Sequence, residues 1–144
     1  MERILILSSP SKKAQVWIGV AGAEPRVLLF RVLDRRGGGW HPVTGGVEKG
    51  EDFEAGARRE LLEETGIPDQ AGRWIDLEYS FRFEGRFGPA EERAFGLVLP
   101  SPLSPTIDPR EHTAFEWVSI RDARIRLGFD SQRDALDRFS CYLR

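Results

Sequence analysis

The sequence predicts an α+β fold built on a mixed β-sheet. Three observations lead there. Strand-like and helix-like segments are interspersed, but not in the regular β-α-β alternation of a doubly wound sheet. One acid-rich helix is sharply bounded at both ends. The length of 144 residues, with 40% hydrophobic residues and a net charge of −2, suits a single globular domain over 1–144 with a sizeable core.

The elements follow in chain order. Ile4–Leu7 reads as a short strand or a docking segment. The segments 14–22 and 26–33 are rich in β-branched and aromatic residues and are split by Gly-Ala-Glu-Pro, so they read as two strands. Three consecutive glycines make 34–40 a loop. A helix is expected over 52–65. Glu51, Asp52 and Glu54 suit the positive end of its dipole, Gly66 suits its C-terminal cap, and Pro68 prevents continuation. The segments 73–83 and 93–100 read as longer strands joined by the glycine-containing stretch 85–90. A proline-rich loop follows, then a strand over 113–120. A final helix over 130–143 takes Asp130 or Ser131 as its N-cap.

The near-neutral charge argues against a nucleic-acid or membrane partner. No apolar run reaches membrane-spanning length. The single cysteine, Cys141, excludes an internal disulfide and fits a cytoplasmic chain; it reads as a small apolar residue on the last helix.

The helix 52–65 carries the chemistry. At about 100° per residue, Glu60, Glu63 and Glu64 share one face. Gly56 and Ala57, one turn earlier on that face, would leave room for ions and a phosphate chain. Leu61 and Leu62, with Ala55, occupy the remaining sector and would face the core. Like charges three and four residues apart cost a few tenths of a kcal/mol each, and Gly56 costs about 1 kcal/mol more. A solvated acidic face, neutralised by Arg58 and Arg59, is one explanation. A hard divalent cation bound by carboxylate oxygens is the other, and Mg²⁺ or Mn²⁺ suits such ligands.

The stretch GGVEKGEDFEAGARRELLEETGI, residues 45–67, resembles the box of the Nudix (MutT-like) hydrolase family. Gly45, Glu51, Arg59, Glu60, Leu61, Glu63, Glu64, Gly66 and Ile67 fill its nine specified positions over 23 residues. The resemblance implies an α/β/α sandwich with the mixed sheet between helices. It implies Mg²⁺, with Mn²⁺ as a substitute, held by Glu60, Glu63, Glu64 and the Gly45 carbonyl. Glu51 and Arg59 would pair to orient those carboxylates. The implied reaction is hydrolysis of a phosphoanhydride in a nucleoside diphosphate linked to another group, with Glu63 or Glu111 as the base that activates water.

Within the family, the chain is similar to the bacterial dATP pyrophosphohydrolase and dihydroneopterin triphosphate pyrophosphatase group. The similarity lies in Thr44 where most members have proline, in EERAFGLVLP, in EHTAFEWVSIRDA and in DSQRDALDRF. It implies a small nucleotide or pterin triphosphate as substrate, cut to a monophosphate and pyrophosphate. Thr44, Ser131 and Arg31 would contact it, with Arg35 or Arg36 as substitutes for Arg31, and Glu111 would be a metal ligand. Trp40 could stack on the ring or anchor its loop; Arg82, Phe83 and Arg86 could overhang the site. His41 and His112 have no zinc-ligand spacing. Other readings are a hydrolase of dinucleoside polyphosphates, nucleotide sugars or RNA 5′ ends, and a non-catalytic nucleotide sensor. A monomer or homodimer is expected.

Overall fold

A computed structural model describes residues 10–144; the segment expected at Ile4–Leu7 lies outside them. Seven strands form one sheet: β1 (Ser11–Val20), β2 (Arg26–Val32), β3 (Trp40–His41), β4 (Val43–Gly46), β5 (Arg73–Gly85), β6 (Gly88–Leu99) and β7 (His112–Ser119). The helices are α1 (Phe53–Thr65), α2 (Ile120–Arg126) and α3 (Asp130–Ser140).

The sheet is mixed because β1 pairs in parallel with β6, from Ser11 opposite Ala90 to Val20 opposite Leu99, while the other pairs are antiparallel. Its main path runs β3-β2-β1-β6-β5, with β4 added to β1 and β7 to β2. Alternation along β1 serves both faces. Ala14, Val16 and Ile18 enter one core with Phe53, Ala57 and Leu61 of α1. Trp17 enters a second core with Ala135, Leu136 and Phe139 of α3. The sheet therefore lies between helices, as expected.

Helix α1 begins where its sequence signals put it. The Asp52 side chain accepts from the Ala55 amide at 2.7 Å, and Gly66 closes the helix at φ 73°. Its faces differ from the expected ones. Phe53, Ala57 and Leu61, spaced four apart, form the buried stripe, while Leu62 and Ala55 are exposed. Ala57 is fully buried, and Gly56 packs on the loop before the helix; a Cβ there would stand 3.0 Å from Val47. The two small residues thus make room for protein, not for phosphate.

The strands β5 and β6 are longer than expected and meet in a two-residue turn between Gly85 and Gly88. The stretch 40–46, at the end of the expected loop 34–40 and beyond it, contains β3 and β4. Helix α2 was not foreseen; the Ser119 hydroxyl caps it, accepting from the Asp122 amide at 3.1 Å. Helix α3 starts at Asp130 after Phe129, without a side-chain cap, so neither Asp130 nor Ser131 plays that part. Asp130 instead pairs with Arg133 at 2.7 Å. Cys141 lies just past the helix and is exposed, contrary to its apolar reading.

Candidate active site

Arginine 59 organises the acidic helix. Its Nε and Nη2 donate to the two Glu51 oxygens at 2.8 and 3.0 Å, and Nη2 also donates to the Gly46 carbonyl at 2.8 Å. Nη1 reaches Glu60 at 2.9 Å and Glu63 at 3.1 Å. Glu51 in turn accepts from the Glu48 amide at 2.8 Å. One guanidinium therefore ties the glycine loop, the helix and two carboxylates together, using the planar donor fork that lysine lacks. Gly45 is steric in its requirement: a Cβ there would lie 2.2 Å from the Glu60 carboxylate.

The carboxylates are not equivalent. Glu60 and Glu64 keep only 12% of their side-chain surface, whereas Glu63 keeps 58%. Burial pushes the Glu64 carboxyl up to about 8, with further contributions from the charges of Glu111 and Glu60. Glu60 is also raised by burial, against the lowering pull of Arg59. Glu111 arrives from the other side. A turn in which the Glu111 and His112 amides donate to the Asp108 carbonyl, each at 2.9 Å, places it at the start of β7. The Leu33 amide donates to the Glu111 carbonyl at 3.0 Å and fixes that turn to β2.

Glu60, Glu63, Glu64 and Glu111 line one cleft of about 550 Å³ with Thr44 and Gly45. Lys13, Arg36 and Arg86 supply cations to the same cleft. His112 also borders it, 92% buried; its Nδ1 has no hydrogen-bond partner among the described residues and stands 3.8 Å from Glu64. A second cavity of about 590 Å³ adjoins the first, since Lys13 and Thr44 line both. Ser131, Arg82 and Phe83 border this second cavity, together with Tyr79, Phe81 and Phe129.

A model of the NUDIX domain matches residues 11–139. The chain belongs to the NUDIX domain family. The Nudix hydrolase resemblance carried by residues 45–67 is thereby the family of the whole described fold. An RNA pyrophosphohydrolase of Roseobacter denitrificans is 29% identical over 122 residues, 74% of this chain and 76% of that protein. An octanoyltransferase of Myxococcus xanthus is 40% identical over 124 residues, 81% of this chain; the chain spans only 33% of that protein's length. The structure of the E. coli dihydroneopterin triphosphate pyrophosphohydrolase superposes with a TM-score of 0.80 at 26% identity, covering 94% of this chain and 99% of that one.

Two residues expected at the Nudix site lie elsewhere. Arg31 donates to Asp34 at 3.0 Å and to the Val32 carbonyl, away from the carboxylate cleft; Arg36 occupies the cleft instead. Trp40 packs against the second core and carries the Arg126 guanidinium 5.0 Å above its ring. It lines neither of the two cavities but borders a further hollow of about 410 Å³ with Arg36, His41 and Phe129. Sequence reasoning passed over Lys13, Glu92 and Gln132, which line the cavities. For Glu92 and Gln132 the signal was a polar residue on an otherwise apolar strand or helix face; Lys13, at the exposed end of β1, gave none.

The donors suit a hard divalent cation. Burial, with the charges of Glu111 and Glu60 added to it, raises the proton affinity of Glu64, and a cation would relieve that repulsion. Among the described residues, no group of three or more acidic, histidine or cysteine side chains converges closely enough to hold a metal ion as it stands. In the described residues no helix is long and apolar enough to cross a membrane.

Proposed function

We propose that the chain is a cytoplasmic, Mg²⁺-dependent pyrophosphohydrolase of a nucleoside triphosphate or dihydroneopterin triphosphate, releasing a monophosphate and pyrophosphate. The observation that carries this reading is the joining of two unlike cavities at Thr44 and Lys13: one acidic and rimmed by arginine, the other aromatic. A triphosphate fits the first and its ring the second. Glu60, Glu64, Glu63 and the Gly45 carbonyl, with Glu111, would hold the cation, which supplies charge neutralisation and water activation.

The chain's own groups do the rest. Arg36 and Arg86 offset the charge of the phosphates, and Lys13 and Thr44 orient the chain at the junction. Glu111 takes the proton of the attacking water. Glu63 is tied to Arg59 at 3.1 Å, whereas among the described residues the cation nearest Glu111 is Arg36 at 3.8 Å, and Glu111 faces Glu64. The similarity to the dihydroneopterin triphosphate enzyme supports the triphosphate.

A second reading, the triphosphate end of RNA, is favoured by a separate basic hollow. Arg35, Arg36, Arg86 and Arg110 border it beside the cleft, where a following strand could lie. Products and salt dependence separate the two. With Mg²⁺ and a panel of free triphosphates, equal monophosphate and pyrophosphate support the first reading. Activity confined to triphosphorylated RNA, falling steeply with salt, would favour the second.

A further inference from the structure

Three of the four glutamates of the carboxylate cleft have an arginine beside them. Arg59 donates to Glu60 at 2.9 Å and to Glu63 at 3.1 Å, and Arg36 lies 3.8 Å from Glu111. Among the described residues no lysine or arginine pairs with Glu64; the basic group beside it is His112, whose Nδ1 stands 3.8 Å from Oε1. Glu64 needs a donor more than the others do. It keeps only 12% of its side-chain surface, and its other neighbours, Glu60 and Glu111, are themselves acids. It also stands in the last turn of α1, which contains no basic residue, at the end of the helix where the dipole disfavours a carboxylate.

His112 has the complementary need. Its place is fixed by the backbone: its amide donates to the Asp108 carbonyl at 2.9 Å, and it pairs with Val32 across the sheet. Phe30, two residues before Val32, packs against the imidazole with ring centroids 5.3 Å apart. The side chain is 92% buried, and Nδ1 has neither open surface nor a hydrogen-bond partner among the described residues. No water or ligand atom can reach that nitrogen, so its partner must be a neighbouring side chain. An apolar residue would fill the space beside Phe30 without leaving a buried polar atom unmet, and such atoms are rare because each costs its lost hydration.

A carboxylate without a donor and a nitrogen without an acceptor thus face each other across a gap too wide for a hydrogen bond and closed to water. A movement of the Glu64 carboxylate by about 1 Å brings the gap to ordinary bonding distance. The core packing of the imidazole makes the glutamate the side that moves. An ionised carboxylate can only accept, whereas Nδ1 can carry a proton, so the sense of the bond is fixed. We infer that His112 positions Glu64, its Nδ1–H donating to one carboxylate oxygen and leaving the other free for the cation. The inference rests on the reading of the cleft as a cation site. His112 is a positioning residue: it acts through Glu64, as Arg59 acts through Glu60 and Glu63.

Calorimetric titration of the full chain with Mg²⁺, in the absence of substrate, tests this through three substitutions. The side-chain amide of asparagine overlies Nδ1 of a histidine, that of glutamine overlies Nε2, and leucine supplies neither. His112→Leu and His112→Gln should bind Mg²⁺ about tenfold more weakly than the wild type, and His112→Asn should stay within about threefold of it. Wild-type affinity in His112→Leu would overturn the proposal. So would recovery in His112→Gln equal to that in His112→Asn, or none in His112→Asn, since a merely structural role does not separate the two amides. Nitrogen-15 spectra of the Mg²⁺-loaded wild type read the bond without any substitution. They should show His112 with its proton on Nδ1, the signal being assigned by its loss in His112→Leu; a proton on Nε2 alone would overturn the proposal. A wild-type chain that binds no Mg²⁺ would sink the cation reading and this inference with it. Binding that is indifferent to His112 would sink this inference alone.

Discussion

Gly45 and Glu111 set the local demands of the site. The Glu60 carboxylate occupies the space that a Gly45 Cβ would need. Gly45→Ala must therefore displace that carboxylate while leaving the core untouched. Mg²⁺ affinity, read by titration calorimetry, should fall about 10- to 100-fold with the circular dichroism spectrum unchanged. Glu111→Gln removes the proposed base without changing its shape, and kcat should fall about 100-fold or more. If kcat holds, the base belongs on α1 at Glu63. The glutamates and the Glu51–Arg59 pair were legible in the sequence, because helix periodicity and a fixed motif place them relative to one another. Arg31 and Trp40 were not. Their positions depend on a loop whose path is set by Gly37, Gly38 and Gly39 at φ 118°, 67° and 79°, and by Arg126 from a helix that was not foreseen.

The elements are held together at close backbone contacts. Helix α3 sits on the sheet through Phe139, which lies over Gly19 of β1 and Gly96 of β6. A Cβ on Gly96 would approach the ring to 2.5 Å, and one on Gly19 to 2.8 Å. Gly96→Ala should therefore cost about 1–3 kcal/mol by overpacking and lower the melting temperature by several degrees. Turnover per folded molecule should stay near normal, since neither residue lines a cavity. Helix α1 was readable because its cap, acidic first turn and terminal glycine agree. Helix α2 was not, because seven residues give too little periodicity to see, although Ser119 with Asp122 three residues later was a usable signal. The faces of α1 were misread for a related reason. Small size alone does not tell whether Gly56 and Ala57 meet a ligand or another part of the chain.

At the scale of the molecule, the sheet brings the carboxylate cleft and the aromatic cavity together at Lys13 and Thr44. The strand segments were largely legible, but the parallel pairing of β1 with β6 was not, since residues nearly eighty apart choose each other through the whole core. The site also weakens the fold that carries it. The Glu64 carboxyl stands at about 8 against 4.5 when free. Between those values the folded chain holds a proton that the unfolded chain has lost, so stability falls as pH rises through this window. A cation that binds the ionised carboxylates should restore it. Scanning calorimetry should show a larger Mg²⁺-induced rise in melting temperature at pH 8.5 than at pH 5.5, and an equal or reversed difference would contradict this linkage. The most direct test of the account is pyrophosphate release from a free triphosphate at saturating Mg²⁺ by the folded wild-type chain and by Glu64→Gln. The account predicts release with a stoichiometric monophosphate in the wild type and a loss of more than about 100-fold in the variant. A variant within a few-fold of wild type would contradict it.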